Sequence, residues 1–216
     1  MLSIEQLDVD ISTTPVLRAV NCRLEAGRTY GLVGRNGAGK TTLLRTIMGF
    51  LAARRGKIAF DAVDITHAPA HSRCALGFGY MPEDRQLVPD ISVEDNILLP
   101  MLALRRVDHK RLDWVYSVIP EAAEARHLHP TLLSGGQQKL VALARALIAG
   151  DRVLLLDEPT EGVAPALQRR ISTLLGQIRH NGALVFIAES NHKYLAAMAD
   201  SLYRIERGSI TLNYGS

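Results

Sequence analysis

Apolar and polar residues alternate in two stretches near the start of the chain, residues 3–10 and 16–24. This period of two is typical of half-buried antiparallel strands, so a small β layer is predicted there. A short apolar strand at 29–33 follows and leads into a glycine-rich loop. After the loop, a helix is predicted over 41–48 and ends at Gly49.

The pattern between residues 85 and 150 is mainly helical. Further short strands are predicted before it, at 57–60 and 77–81. Helical periodicity then runs through three segments. These segments are 93–99, 109–118 and 137–149. Ser92 followed by Glu94 and Asp95 is a capping pattern for the first of them. This region is therefore predicted to be a helical insert.

Strands and helices alternate in the last third of the chain. A strand is predicted over 152–156, which is apolar after Arg152, and 165–180 place apolar residues on one helical face. Strands are predicted again at 183–188 and 202–205. Strand–helix alternation of this kind predicts an α/β fold with a mostly parallel sheet covered by helices.

Composition places the chain among globular proteins with a sizeable core. Of its 216 residues, 47% are hydrophobic and 22% charged, and the formal net charge is +3. Cys22 and Cys74 lie far apart, which predicts neither a disulfide framework nor a zinc site and favours a reducing compartment. No leader and no long apolar span is recognisable, so the protein is predicted to be neither secreted nor membrane-spanning by itself. Basic residues are scattered in pairs, and nucleic acid is not an expected partner.

A phosphate-binding loop is the first candidate site. The segment GRNGAGKTT has the full pattern of glycines followed by Lys and Thr between a strand and a helix. Its backbone N–H groups can surround a phosphate, its lysine can face the β- and γ-phosphates, and its Thr41 hydroxyl can bind Mg²⁺. The predicted binding residues are Gly34, Arg35, Asn36, Gly37, Ala38, Gly39, Lys40, Thr41 and Thr42.

Two adjacent carboxylates end the apolar strand of VLLLDEPT. Consecutive side chains on a strand point in opposite directions, so the two carboxylates can have different roles. Asp157 is predicted to bind Mg²⁺. Glu158 is predicted to orient or deprotonate the water that attacks the γ-phosphate.

The segment LSGGQQ is a second candidate anion site. Ser134 and Gln137 have capping-box spacing, and Gly135 and Gly136 leave the N–H groups of a helix start uncovered. Standing alone, the segment could equally be an ordinary glycine-rich helix start. A second anion site is unusual in a chain that already has a phosphate loop.

The order GRNGAGKTT, LSGGQQ, LLLDEPT resembles an ATP-binding cassette ATPase over nearly the whole chain. The resemblance implies a P-loop NTPase fold with a RecA-like core, an N-terminal antiparallel β layer and a helical subdomain. It also implies one domain over 1–216, with a nucleotide-binding core at 1–84 and 151–216 and the helical subdomain at 85–150. In this family ATP and Mg²⁺ bind at the phosphate loop. Ser134, Gly135, Gly136 and Gln137 then contact the ATP of a second ATPase subunit, and the two subunits close head-to-tail.

Finer motifs narrow the resemblance. GYMPEDRQLVPDISVEDN and DEPTEGVAP are similar to the smaller ATPase of importers for branched-chain and other hydrophobic amino acids, or for urea and small amides. Most cassette ATPases have Gln at the position of Glu83, where the side chain contacts Mg²⁺ and the attacking water. The resemblance implies integral membrane permease subunits and, indirectly, a solute-binding protein as partners. It places the chain in the cytoplasm, peripherally on the inner face of the membrane.

The sequence departs from the family in three places. Ile11 or Ser12 stands where an aromatic residue usually stacks on adenine. Ala164 replaces the usual aspartate at the intersubunit turn. Ser190 occupies the position of the histidine that usually bonds the γ-phosphate, and His192 lies two residues further on. Ser190 is the residue predicted to act there, with His192 as the alternative.

Two other functions are compatible with these motifs. One is a soluble cassette ATPase that is not coupled to a membrane, although such proteins usually carry two cassettes or long insertions. The other is a nucleotide-gated subunit with weak hydrolysis of its own, which Ser190 and the missing adenine aromatic favour. The motifs leave open the transported solute and whether the dimer contains two identical ATPases or two different ones.

Overall fold

A computed structural model describes residues 1–213. Within them the strands are β1 (Leu2–Ile11), β2 (Thr14–Leu24), β3 (Thr29–Val33), β4 (Arg55–Phe60), β5 (Val63–Asp64), β6 (Phe78–Met81), β7 (Val153–Asp157), β8 (Leu184–Glu189), β9 (Ser201–Glu206) and β10 (Ser209–Asn213). The helices are α1 (Lys40–Met48), α2 (Ala70–Ala75), α3 (Val93–Ala103), α4 (His109–Val118), α5 (Pro120–Glu124), α6 (Gly135–Ala149), α7 (Pro165–His180) and α8 (His192–Ala196). A short 3₁₀ turn, Pro130–Leu132, precedes α6.

The strands form two sheets. The larger has the order β10-β9-β3-β8-β7-β6, and all its neighbouring strands are parallel except the β10–β9 pair. The smaller has the order β2-β1-β4-β5 and is antiparallel throughout. The predicted α/β fold with a mostly parallel sheet and an N-terminal antiparallel layer is confirmed.

The parallel strands end at one edge of the large sheet. The phosphate loop follows β3, Asp157 ends β7, and Glu189 ends β8. Asp157 pairs with Ala188 across β7 and β8, so the carboxylates that follow these strands lie side by side. Ligands of open α/β sheets bind at this edge because the loops there converge. The topology therefore brings motifs that are far apart in sequence to one site.

Helix α1 is held between the two sheets. Leu43, Leu44 and Ile47 are fully buried in a cluster with residues of both sheets. Its last carbonyls, at Thr46 and Ile47, accept hydrogen bonds from the buried guanidinium of Arg73. A cation at a helix C-terminus is favourable because of the helix dipole. The phosphate-loop helix is thus fixed at the end opposite its ligand.

A second core lies on the other face of the large sheet. Helix α6 is buried along most of its length and packs against α3, α4, α5 and β6. The helices α3 to α6 all fall within the segment predicted to be a helical insert, while the boundaries at 84/85 and 150/151 stay a prediction. Within residues 1–213, every helix is too short or too polar to span a bilayer.

The predicted elements agree closely with the structure where they are long. Helices α4 and α7 have the predicted bounds, and Ser92 caps α3 by accepting from the N–H of Asp95. Helix α6 begins at Gly135, two residues before its predicted start, because Ser134 is its N-cap. Helix α2 was not predicted. Its six residues are too few to give a visible periodicity, and its position depends on the tertiary contacts of Arg73.

Candidate nucleotide-binding and catalytic site

The phosphate loop joins β3 to α1 as predicted. Gly37 and Gly39 have φ of 80° and 112°, a backbone region that side-chain-bearing residues rarely adopt. Gly34 has no room for a side chain, because a Cβ there would lie 2.6 Å from atoms of Ile205. The loop is therefore a close-packed backbone turn that ends at a helix N-terminus, where anions are favoured.

Lys40 is buried at the centre of the site. Its Nζ donates to the carbonyl of Gly34 at 2.8 Å and to Ser190 Oγ at 2.9 Å, and it lies 3.1 Å from Glu158 Oε1. Only 5% of the Lys40 residue is exposed. The structure thus joins the phosphate loop, the end of β7 and the end of β8 through one ammonium group.

The three residues predicted to bind metal line a single cavity. Thr41, Glu83 and Asp157 all face a space of about 310 Å³ beside the phosphate loop. Asp157 is fully buried, and neither of its carboxylate oxygens has a hydrogen-bond partner in the described part of the chain. Burial raises the pKa of Asp157 to about 6, and the charges of Glu83 and Glu158 add to the increase. Buried acceptors without partners are rare and costly, so this carboxylate is suited to a cation.

Within residues 1–213, no group of three or more His, Cys, Asp and Glu side chains could hold a metal by itself. The cavity offers one hydroxyl and two carboxylates, which is a partial set of oxygen ligands. Such a set fits Mg²⁺, which usually keeps waters and shares phosphate oxygens of a bound nucleotide.

Glu158 is held in a strained position. Its φ is 46°, in the left-handed region, and its carboxylate accepts from the N–H of Ser190 at 3.1 Å and from Ser190 Oγ at 2.6 Å. Burial alone would raise the pKa of Glu158, but hydrogen bonds from Glu189, Ser190 and Lys40 lower it. The neighbouring Glu189 has its pKa raised to about 8, first by burial and then by its contact with Glu158. Near neutral pH, therefore, Glu158 is the ionised member of this carboxyl pair.

Ser190, and not His192, lies inside the network. Besides Lys40 and Glu158, its Oγ is 2.8 Å from Asn36 Oδ1 of the phosphate loop. His192 is exposed at the start of α8 and makes no side-chain hydrogen bond within the described residues. It does line a cavity that Ser190 and the phosphate loop also line. The structure thus brings Ser190 into contact with the predicted catalytic residues and leaves His192 at the rim.

The LSGGQQ segment starts α6 as a complete capping box. Ser134 Oγ accepts from the N–H of Gln137 at 3.3 Å, and Gln137 Oε1 accepts from the N–H of Ser134 at 2.9 Å. Gly135 is exposed, and no acidic residue lies in the first turn. In the described residues, no hydrogen bond joins this helix start to the phosphate loop of the same chain. The helix start that was predicted to bind an anion is therefore capped and exposed.

Two further contacts were not predicted. Arg145 of α6 donates to the carbonyls of Arg85 and Gln86, and Arg85 in turn donates to Gln138 of α6 at 2.9 Å. These bonds tie the segment after Glu83 to the helix that carries LSGGQQ. No sequence signal pointed to these arginines, because their partners are remote in the chain and those of Arg145 are backbone carbonyls.

Ile11 and Ser12 occupy the position where the family resemblance places an aromatic residue against adenine. Ile11 is the last residue of β1 and is 46% exposed, and Ser12 stands in the turn that follows with φ of 57°. Neither residue supplies the ring that the family resemblance leads one to expect.

Residues 17–161 match the family model described as ABC transporter. This segment is more than half of the chain, and the chain therefore belongs to the ABC transporter family. The predicted resemblance to an ATP-binding cassette ATPase is confirmed.

Among relatives, the high-affinity branched-chain amino acid transport ATP-binding protein BraG of Pseudomonas aeruginosa is 30% identical over 99% of this chain and 92% of its own length. The lipopolysaccharide export system ATP-binding protein LptB of Escherichia coli is 30% identical over 90% of this chain and 82% of its own length. An ATP-binding cassette of an ABC transporter, solved in its ADP conformation, superposes with a TM-score of 0.86 at 25% identity and covers 98% of this chain and 89% of its own. The protein is accordingly the ATP-binding, ATP-hydrolysing subunit of a transporter.

Proposed function

We propose that this chain powers an importer for branched-chain or other hydrophobic amino acids, or for a related small amide such as urea. The observation that carries the proposal is the similarity to BraG, which extends over 99% of the chain. The segments GYMPED and DEPTEGVAP favour the same subfamily. LptB is similar over less of the chain. Lipopolysaccharide export is thus the second candidate, and the two differ in the membrane partner they require.

In this proposal ATP binds with its phosphates in the Gly34–Thr42 loop and its γ-phosphate between Lys40 and Ser190. Thr41, Asp157 and Glu83 would hold Mg²⁺, which supplies positive charge that draws electrons from the γ-phosphate. Glu158 accepts a proton from the attacking water, because it is the ionised carboxylate nearest to Lys40. Ser190 fixes Glu158 through its N–H and its Oγ.

The outward-facing LSGGQQ segment completes the site of a second subunit. Ser134, Gly135, Gly136 and Gln137 present a helix N-terminus whose first turn contains no acidic residue. Two chains, or this chain and a different ATPase, would close head-to-tail so that each helix start meets the γ-phosphate held by the other. Closure then depends on ATP, and hydrolysis reverses it.

An apolar groove is the proposed attachment point for the permease. It encloses about 260 Å³ between the end of α1, α2 and the end of α3, and Phe50, Cys74, Pro82, Ala103 and Leu104 are among its lining residues. Phe50 is 50% exposed there. The groove lies next to the cavity of Glu83, since Phe50, Tyr80 and Pro82 line both. A membrane helix loop seated in it would be placed to respond to nucleotide. The chain would then work at the cytoplasmic face of the membrane, with a solute-binding protein outside.

Ala103→Glu tests this attachment. Ala103 is exposed on α3 and lines the groove, so the added carboxylate is hydrated in the free chain and desolvated in the complex. We expect recovery of permease subunits from detergent-solubilised membranes to fall at least about tenfold. Val63→Glu is the matched control, because Val63 is 62% exposed on β5, outside the groove.

The identity of the copurified membrane protein separates the two candidates. An amino-acid or amide permease that is lost in Ala103→Glu and kept in Val63→Glu supports the proposal. Lipopolysaccharide-export partners would favour the second candidate. Equal recovery with both variants would rule out the groove as the attachment point.

Ser190→Ala should lower the turnover number for ATP by about 10²-fold, the cost of losing one well-placed donor. The change removes the hydroxyl that contacts Lys40, Asn36 and Glu158. His192→Ala should stay within about threefold of wild type, because this histidine lies outside the network. Steady-state phosphate release from the isolated chain measures both. The reverse ranking of the two variants would show that His192 performs the role proposed for Ser190.

A further inference from the structure

Glu189, the last residue of β8, and Ser190 after it form hydrogen bonds with the two residues that flank Pro159. Ser190 holds Glu158 through its N–H and Oγ, at 3.1 and 2.6 Å. Glu189 holds Thr160, since its Oε1 accepts from the Thr160 N–H at 2.9 Å and from Thr160 Oγ1 at 2.6 Å. Side chains of consecutive strand residues point in opposite directions, so Glu189 and Ser190 can form hydrogen bonds with different residues of one turn.

The Glu189 contact is entirely inside the protein. Glu189 is 2% exposed and Thr160 is 4% exposed. A carboxyl group buried to this extent requires compensating donors, and Thr160 supplies two to the same oxygen. The Glu189 carboxyl group has no part in the roles proposed for Lys40, Asp157, Glu158 and Ser190.

The backbone of the turn at Glu158 is strained and needs support from its surroundings. Glu158 has φ of 46° although it carries a side chain, and it precedes a proline, which restricts its backbone further. Conformations of this kind persist only where the surroundings impose them. The Glu158 N–H donates to the carbonyl of Ala188 at 2.9 Å, and on the other side of Pro159 the Thr160 N–H donates to Glu189.

The same turn continues into the segment that meets the second subunit in the proposed dimer. Lys139 of α6, which is buried, donates to the carbonyl of Glu161 at 2.5 Å. Gln168 of α7 donates to the carbonyls of Thr160 and Val163, both at 3.3 Å. Thr160 is therefore the point where the catalytic turn and the intersubunit segment are anchored together.

We infer that Glu189 is a positioning residue for ATP hydrolysis, which anchors Thr160 so that the strained turn aims the Glu158 carboxylate at the attacking water. The inference rests on the proposed role of Glu158 as the base. Glu189 acts by anchoring Thr160 through its acceptor oxygen, beside its contact with the Glu158 carboxylate, and neither contacts nucleotide nor accepts the proton from water.

The test compares five variants by kcat, KM and the dissociation constant for ATP, measured on the full chain. Glu189→Ala removes the acceptor and should lower kcat about 10- to 10²-fold while the ATP dissociation constant stays within about threefold. Glu189→Gln keeps an oxygen for Thr160 and should retain kcat within about threefold. Thr160→Val removes only the hydroxyl donor and should lower kcat about three- to tenfold.

Asp64→Ala is the matched control. Asp64 accepts from the N–H and Oγ1 of Thr66 at 2.9 and 2.6 Å, the same pair of bonds at the same distances, but in the antiparallel sheet. It should leave kcat unchanged. Glu158→Gln is measured in parallel, so that failure of the proposed base and failure of the positioning role give different results.

Four results would overturn the inference. Wild-type kcat in Glu189→Ala, with Glu158→Gln inactive, would show that Glu158 is aimed without Glu189. Equal losses in Glu189→Gln and Glu189→Ala would point to a chemical role of the carboxyl proton. Parallel losses of ATP affinity and kcat in Glu189→Ala would show a general structural defect. Thr160→Val separates these cases if Glu189→Ala does not fold, because normal kcat in this isosteric variant would also contradict the inference.

Discussion

Glu158→Gln should lower ATP hydrolysis by about 10²- to 10⁴-fold, the usual contribution of a general base, while ATP still binds. The amide keeps the shape of the side chain and can still contact Ser190 and Lys40, which now lie at 2.6 and 3.1 Å from Glu158 Oε1. It cannot accept the proton of the attacking water at neutral pH. Single-turnover hydrolysis and equilibrium binding of ATP measure the two effects separately.

A consequence for assembly follows from the same variant. Because ATP binds and is not consumed, the closed dimer should accumulate, and its fraction can be measured by size-exclusion chromatography with ATP and Mg²⁺. ADP in place of ATP is the control and should leave the chain monomeric. Normal turnover in Glu158→Gln would remove this residue from the catalytic role.

The sequence predicted the fold well wherever a regular pattern was long. Strand β7 is a run of apolar residues ending in Asp157, and every one of its residues is buried. Such a run is typical of a parallel strand covered on both faces. Helix α7 combines Pro165 in its first turn with a buried stripe, and its predicted bounds are those of the structure. Local signals and packing agree in these elements.

The separate motifs of the candidate site could be predicted from the sequence. Spacing alone indicated the phosphate loop and the capping box of Ser134 and Gln137, and both have the expected local geometry. That Thr41, Glu83 and Asp157 line one cavity depends on strand order, which the resemblance implied and the periodicity alone did not. The roles of these residues remain predictions until the variants are measured.

The contacts around Glu189 could not be predicted from the sequence, for a physical reason. A buried acid at a strand end looks the same in sequence as a solvated one, and only its partner reveals the difference. Thr160 lies 29 positions away. Arg73 and Arg145 were missed likewise, since they bond to backbone carbonyls, which carry no residue identity.

Lys40→Ala and Gly135→Asp should each abolish hydrolysis, for different reasons. Lys40→Ala removes the ammonium beside the γ-phosphate and should weaken ATP binding about 10- to 10²-fold. Gly135→Asp should leave ATP binding by the same chain unchanged, because it adds negative charge where the second subunit's phosphate is expected. The substitution fits the fold, since the atoms nearest to a Cβ at Gly135 belong to the Arg85 side chain and lie at 3.5 Å or more. Titration with ATP distinguishes the two defects.

The central claim is that ATP hydrolysis requires a site shared between two chains, and mixing these two inactive variants tests it most directly. A dimer of one Lys40→Ala chain and one Gly135→Asp chain has one intact composite site, formed by the phosphate loop of the second and the LSGGQQ segment of the first. If the working dimer contains two identical chains, an equal mixture should recover up to roughly a quarter of the wild-type rate, since half the dimers are mixed and each has one of two sites. Dimers carrying two different affinity tags confirm that mixing has occurred. Recovered hydrolysis in the doubly tagged fraction is the predicted result, and its absence there would contradict the shared-site account.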